Sequence, residues 1–185
     1  LIKTDLTATV APRSVNIEDI LNHIRRIREL TGEAAAKSYA GVSGESAKKL
    51  DKEICTKIYN LILDKEKVAD LETTKKFFAW LSILNREFSK EVFTTNYDLI
   101  IEKSLESSQI PYFDGFVGAY EPFFWQESID KIVGNNDLTQ NWIRLWKIHG
   151  SLSWFWKEDI KTKSPKIIRI GKVEKIEDEK NELVI

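Results

Sequence analysis

Apolar side chains recur at helical spacing along the first ninety residues of the chain. Asn16 and Asp19 have the spacing of a capping box, and the apolar stripe after them predicts a helix that ends at Thr31-Gly32. The Ala-rich segment 33–40 predicts a short helix, and Ser46 is the expected cap of a longer one. Its inward-facing residues are predicted to be Leu50, Ile54, Ile58, Leu61 and Ile62. Another helix, starting at Thr73 or Thr74, is expected to bury Phe77, Trp80, Leu81, Leu84 and Phe88.

Short apolar runs replace this helical spacing after residue 90. Residues 91–95 are β-branched and aromatic, which predicts a buried strand, and Asn96-Tyr97-Asp98 and then a helix to about residue 107 follow it. Residues 144–148 predict a second strand, which runs into His149-Gly150-Ser151. Residues 111–141 have the composition of loops, and further short strands are expected at 153–156, 166–170 and 182–185.

Strand–turn–helix units of this kind build parallel sheets. The pattern therefore predicts an α/β fold, a Rossmann-like doubly wound parallel sheet in three layers with a helical insertion or subdomain before residue 90. We expect a single domain over residues 1–185, mainly helical at 1–90 and strand-rich and nucleotide-binding at 91–185. Because the chain contains no Met and begins abruptly at Leu1, we expect it to be incomplete at its N-terminus.

Composition narrows the function classes. Lys and Arg number 28 against 29 Asp and Glu, so the chain lacks the basic excess that direct nucleic-acid binding requires. One cysteine, Cys55, can form neither a disulfide framework nor a cysteine-based zinc site, so we expect no metal and a cytoplasmic location. No apolar run approaches the roughly 20 residues of a membrane helix, so no membrane association is expected.

Two polar clusters stand at the carboxyl ends of the two predicted strands. One is Thr94-Thr95-Asn96-Tyr97-Asp98 and the other is His149-Gly150-Ser151. In open parallel sheets ligands bind outside the carboxyl ends of strands, so Asn96 and His149 are expected to face one cleft. A structural reading stays open, because Asn and Asp after a strand often cap the next helix and a single His often has a purely structural role.

The two clusters resemble those of a known family. Phe93-Thr94-Thr95-Asn96-Tyr97-Asp98 is similar to the Thr-x-Asn-x-Asp segment of sirtuin-like proteins, and Leu145-Trp146-Lys147-Ile148-His149-Gly150-Ser151-Leu152 to their strand ending in His-Gly-Ser. The form of both motifs resembles the bacterial sirtuin-like domains of anti-phage defence systems, from about residue 14 to the end of the chain.

This resemblance implies that the chain uses NAD as a substrate and cleaves its nicotinamide–ribose bond. It implies that Asn96 hydrogen-bonds the nicotinamide-ribose region and positions a water near C1′, and that Asp98 holds the nicotinamide side or a ribose hydroxyl. It also implies that His149 is the general base toward a ribose hydroxyl or water. Thr94, Thr95 and Ser151 are further candidates for contacts with NAD. The partners it implies are further copies of the chain, or a sensor protein or domain of a defence system.

Two departures from the family pattern bear on the activity. The Gly-rich loop that would bind the NAD pyrophosphate is expected before Leu1, because Ala40-Gly41-Val42-Ser43-Gly44 does not follow a predicted strand. The four-cysteine zinc module of sirtuin deacetylases cannot be built from Cys55 alone, which favours NAD hydrolysis by water. A sirtuin-type protein deacylase and a non-catalytic module that binds NAD or ADP-ribose remain as alternatives.

Overall fold

A computed structural model describes residues 16–85, 89–130, 142–158, 165–174 and 182–184. It divides into two compact units, Leu1–Ile58 and Tyr59–Ile185. This boundary lies within a long helix and does not coincide with the change of pattern at residue 91. The single domain expected over the whole chain stays a prediction.

The first helix, α1 (Ile17–Thr31), begins and ends as its sequence predicts. The Asn16 side chain accepts a hydrogen bond from the Asp19 backbone N–H, and the Asp19 side chain accepts one from the Asn16 backbone N–H. These two hydrogen bonds complete the capping box. Gly32 ends the helix in the left-handed region, with φ of 59°. The apolar face of α1 buries Leu21, Ile24 and Ile27.

A β-hairpin replaces the short helix expected at residues 33–40. Its strands are β1 (Ser38–Tyr39) and β2 (Val42–Ser43), and Ala40 and Gly41 turn between them with φ of 50° and 77°. Positive φ at both central residues gives the twist of a two-residue hairpin turn, so this local turn overrides the helical preference of the alanines. The predicted helix is therefore wrong.

The long helix α2 (Gly44–Glu66) starts earlier than expected. The predicted Leu50, Ile54 and Ile62 pack against core clusters, but the most buried residues lie beside them on the helix. Its N-terminus is capped by Ser43, whose hydroxyl accepts from the Ser46 N–H at 3.2 Å, so Ser46 is not the cap. The buried face carries Ala47, Asp51, Cys55, Tyr59 and Leu63. Leu61, predicted to point inward, is 62% exposed. The error has a physical cause, since the charged Asp51 lies within the buried stripe.

The remaining elements lie in the second unit. In chain order they are α3 (Glu72–Ile83), β3 (Lys90–Thr94), α4 (Ile100–Ser107), β4 (Tyr112–Phe113), β5 (Phe116–Val117), β6 (Phe123–Phe124), α5 (Glu127–Asp130), β7 (Ile143–Lys147), β8 (Trp154–Glu158), β9 (Pro165–Arg169) and β10 (Glu182–Leu183). None of the helices in the described ranges has the length and apolar character needed to cross a membrane.

Three strands form a parallel sheet in the order β3-β7-β4. Phe78, Leu105 and Ile143 form the core on one face of this sheet and come from α3, α4 and β7. The other face is more open, because Phe93 is 65% exposed, so β3 is not the fully buried strand that its composition predicts. The strand–turn–helix unit of β3 and α4 is confirmed.

Helix α3 packs Leu81 against this core as predicted, but its most buried residue is Phe78, which was not predicted to point inward. Phe78 is buried, whereas Phe77 and Trp80 are about half exposed, at 49% and 53%. Both inward predictions are therefore wrong, because one residue of helix rotates a side chain by about 100°. The predicted inward position of Phe88 lies outside the described residues.

Five strands form a second, antiparallel sheet in the order β10-β8-β9-β6-β5. Strands β4, β5 and β6 fall in the segment that was expected to be loops. Tyr59, Leu63, Leu152 and Phe155 form a core cluster beside this sheet. The fold is thus a mixed α/β structure whose parallel part, with its flanking helices, is compatible with a Rossmann-like fold.

Candidate active site

The two polar clusters meet at one edge of the parallel sheet. Strands β3 and β7 are neighbours, and their register pairs Thr94 with Lys147, the last residue of each strand. Asn96 and His149 therefore each lie two residues beyond the end of the pairing, at the same edge. The carboxyl ends of parallel strands are where α/β sheets bind ligands.

Backbone hydrogen bonds join the two turns that follow these strands. The Ile148 N–H donates to the Thr94 carbonyl at 3.0 Å, and the Leu152 N–H donates to the Tyr97 carbonyl at 3.0 Å. The Tyr97 and His149 rings also lie against each other, with 6.3 Å between their centroids. The two clusters therefore form one continuous surface.

The candidate side chains differ in exposure. Thr95, Asn96 and His149 are exposed, and Asp98 is half-buried. Asp98 accepts from the Ile100 N–H at 3.1 Å through one carboxylate oxygen, while the N-cap residue of α4 is Leu99. The Asn96 N–H donates to the Thr94 hydroxyl at 3.1 Å, which fixes the start of the turn. The roles of these residues toward NAD stay predictions.

Ser151 lies beneath this surface. It is fully buried, its hydroxyl is 3.2 Å from that of Ser153, and its N–H donates to the Val184 carbonyl at 3.1 Å. The structure therefore gives this hydroxyl a partner in the interior. Its contact with NAD stays a prediction.

Two buried charged residues hold the turn at residues 96–99 from below, and the sequence analysis missed both. The Lys147 side chain is 2% exposed, and its ammonium group donates to the carbonyls of Tyr97 and Asp98. The Glu66 carboxylate, 1% exposed, accepts from the Leu99 N–H. One sequence signal could have revealed Lys147, because strand alternation places it on the same face as the buried Ile143 and Leu145.

Each buried charge pairs with a residue of α4. Lys147 lies 2.9 Å from the Glu102 carboxylate, and Glu66 pairs with Lys103. Burial raises the pKa of Glu102 above its ordinary value, although the nearby Lys147 acts to lower it. The second Glu102 oxygen is buried and has no hydrogen-bond partner among the described residues.

The Gly-containing segment at residues 40–44 does not resemble a phosphate-binding loop in the structure. Ala40 and Gly41 turn between two antiparallel strands, and Gly44 opens α2. A Cβ at Gly44 would lie 2.4 Å from the Thr31 hydroxyl oxygen, so close packing explains this glycine. The structure therefore agrees with the expectation that this segment is not the pyrophosphate loop.

The side chains at the sheet edge are of kinds that hydrogen-bond to a polar ligand. Amide, hydroxyl, carboxylate and imidazole groups can all hydrogen-bond to ribose hydroxyls. Within the part of the chain that the structure describes, no group of three or more His, Cys, Asp or Glu side chains could hold a metal ion.

Comparison with known protein families gives a match over the part of the chain that contains the candidate site. The family model of the SIR2-like domain matches residues 90–172, which run from the first residue of β3 past the end of β9 and include both polar clusters. No curated protein matches the chain. SIR2-like domains bind NAD, so the match indicates an activity related to NAD. Residues 90–172 thus belong to the SIR2-like, or sirtuin-like, domain family.

Proposed function

We propose that this chain hydrolyses NAD at the nicotinamide–ribose bond, with Asn96, Asp98 and His149 acting on the ribose. The observation that carries the proposal is the pairing of β3 with β7, which brings both family motifs to one sheet edge. Exposed Asn96 and His149 can reach a ligand there without any rearrangement of the backbone.

The chemistry of the bond requires groups of this kind. Loss of nicotinamide leaves positive charge on the ribose, as in the cleavage of glycosides. The Asn96 amide oxygen and the Asp98 carboxylate would stabilise that charge if they are held in place before the reaction. As water attacks C1′, nicotinamide leaves with the bonding electrons and the water proton passes to His149, since histidine is a common general base near neutral pH.

Water is favoured over an acyl-lysine substrate because the sequence contains only one cysteine. That cysteine, Cys55, is buried, and desolvation raises its pKa to about 11. A four-cysteine module is therefore not available from this sequence. We infer a role in bacterial anti-phage defence, in the cytoplasm and switched on by an oligomer or a sensor partner, from the motif resemblance alone.

Substitution of the two exposed residues tests the proposal. In the complete protein that carries this sequence, Asn96→Ala and His149→Ala should each lower the rate of nicotinamide release from NAD by roughly 100-fold or more. Nicotinamide and the ribosyl product are measured by chromatography. Matched controls are Gln126→Ala, an exposed amide in the loop before α5, and His23→Ala, the other histidine, which belongs to α1. Both controls should keep the rate of the unsubstituted protein.

Three results would contradict the proposal. If both site variants hydrolyse NAD at the full rate, the assignment of the site is wrong. If the protein binds NAD and never releases nicotinamide, it is a non-catalytic module. If turnover of NAD depends on an acetylated peptide, the protein is a deacylase.

A further inference from the structure

We infer that four charged residues under the candidate site, Lys147, Glu102, Glu66 and Lys103, position the catalytic turn at residues 96–99. These four residues are called the turn clamp below. The inference deepens the proposed function and rests on it, because it assigns positioning residues to the same site. It stands on the contacts between buried charges and backbone atoms of the turn.

Lys147 holds the carbonyl side of the turn. Its ammonium group donates to the Asp98 carbonyl, lies 3.5 Å from the Tyr97 carbonyl and is 2.9 Å from the Glu102 carboxylate. An ammonium group has three donors, so these contacts can use its full capacity. With its side chain only 2% exposed, Lys147 has little access to water as an alternative partner.

Glu66 holds the amide side of the same turn. Its carboxylate accepts from the Leu99 N–H and pairs with the Lys103 ammonium group. The Leu99 N–H precedes α4 and is one of the backbone donors that a helix leaves without an internal partner at its N-terminus. Glu66 therefore fixes the point where the turn enters the helix, while Lys147 fixes the two residues before it.

Charges are an unusual choice for this position. Replacement of a buried ion pair by apolar side chains is often neutral or stabilising, so a stability gain alone does not explain the pair. The contacts with turn carbonyls give a different explanation, because an apolar side chain cannot donate to them. The clamp restricts the directions in which Asn96 and Asp98 can project, which is the preorganisation that electrostatic catalysis requires.

A double substitution separates positioning from folding. Lys147→Met alone leaves the Glu102 carboxylate buried without its partner and is expected to destabilise the fold. Lys147→Met combined with Glu102→Leu removes both charges together and should fold, which circular dichroism and thermal unfolding verify. The matched control is Lys90→Met. Lys90 opens β3 at the opposite end of the strand, and its ammonium group also donates to a backbone carbonyl, that of Ser82, at 2.7 Å.

We expect the folded double variant to hydrolyse NAD with kcat lowered roughly 100-fold, because a displacement of about 1 Å in a catalytic group has an effect of that size. KM should change far less, since the misplaced groups act on the breaking bond. In the same variant, backbone amides of the turn should exchange with deuterium faster, as measured by mass spectrometry of peptides that cover residues 95–102. Lys90→Met should change neither kcat nor exchange in these peptides.

The two readouts distinguish failure of this inference from failure of the proposed function. A folded double variant with the kcat and turn exchange of the unsubstituted protein would overturn the turn clamp while leaving NAD hydrolysis intact. Failure of the unsubstituted protein to hydrolyse NAD would overturn the proposed function. Deuterium exchange of the backbone amides at residues 95–102 in the double variant would then still test whether the turn clamp holds the turn. Exchange at the rate of the unsubstituted protein would overturn the turn clamp.

Discussion

Each of the two units contains a network of partly buried charges, and the networks bind different kinds of partner. In the first unit, Arg28 pairs with Asp51 and Glu33, and Lys48 also pairs with Glu33, so charged side chains bind each other. In the second unit, Lys147 and Glu66 also bind the backbone of the turn that carries the candidate site. Buried charge in the first unit holds elements together, whereas in the second it also sets the geometry of a functional segment.

The first network connects the end of α1 to the hairpin region and to α2. Asp51 on α2 accepts from Arg28 and lies 3.5 Å from Arg25, both on α1. Glu33 follows the Gly32 cap, and the hydrogen bond from Lys48 is the largest cause that lowers its pKa, with Arg28 acting in the same direction. All of these residues lie within the unit Leu1–Ile58.

The largest expected effect comes from breaking the first network, which should lower the stability of the protein and leave its catalytic rate unchanged. Asp51→Asn removes the buried partner of Arg28 and should lower the free energy of unfolding by about 3 kcal/mol, as for other broken buried pairs. Urea unfolding followed by circular dichroism measures this change. The rate of NAD hydrolysis per folded molecule should stay the same, and a lower rate would show that the first network also serves catalysis.

Lys48→Gln is the control within the same network. Lys48 and Glu33 are 40% and 35% exposed, so loss of this pair should cost at most about 1 kcal/mol. An equal loss in Lys48→Gln and Asp51→Asn would contradict the importance that we assign to burial.

The next effect concerns how the free energy of unfolding depends on pH, because Glu102 in the second network and Glu33 in the first should change it in opposite directions. The pKa of Glu102 is raised by burial, so between its ordinary value and its folded value the native state binds more protons than the unfolded state. The contribution of Glu102 to stability is therefore complete below the ordinary pKa and is lost as pH rises through the folded pKa. The slope is at most about 1.4 kcal/mol per pH unit for this single group.

Glu33 behaves in the opposite way. Its pKa is lowered, so its contribution is present above the ordinary value and is lost as pH falls through the folded pKa. The free energy of unfolding, measured with urea at several acidic pH values, should therefore change its slope against pH in opposite directions in Glu102→Gln and Glu33→Gln. Two neighbouring charges also act on the pKa of Glu102. Lys147, which faces Glu102, lowers this pKa, and Asp114, which is paired with Arg169, raises it. Changes of the same sign in both variants would contradict this assignment.

The smallest effect concerns the Cys55 thiol, which donates to the Asp51 carboxylate of the first network at 3.5 Å. Desolvation is the main cause that raises the pKa of Cys55 to about 11, and the nearby Asp51 acts in the same direction. A thiol with so little thiolate at neutral pH should react slowly with a disulfide reagent such as dithiobis-nitrobenzoate. Labelling is measured by absorbance before and after unfolding in urea. Rapid labelling of the folded protein would show that this network is open to solvent.

Local sequence signals predicted several of the elements correctly. The Asn16 and Asp19 side chains form the capping box that their spacing indicates. The apolar run before Asn96 and the one before His149 form neighbouring parallel strands. These predictions are confirmed because cap geometry and strand composition act over a few residues and need no knowledge of distant partners.

Buried charges explain the main errors in the prediction. A prediction from apolar patterns places every charged side chain in solvent. Asp51 on α2 and Lys147 on β7 are buried, so the pattern did not identify either as an inward-facing residue. Each is stabilised by partners far along the chain, 23 residues away for Asp51 and 45 or more for Lys147. The short strands β4, β5 and β6 were missed for another reason, because two residues are too few to show alternation.

The hydrogen bonds from Ile148 to Thr94 and from Leu152 to Tyr97 have a practical consequence for protein engineering. They tie the segment after one strand to the segment after its neighbour, so neither loop has an independent conformation. Transfer of the Asn96 segment to another scaffold would lose the acceptor and donor pairs that shape it. A functional graft must therefore carry both loops, their two strands and the lysine between them as one piece.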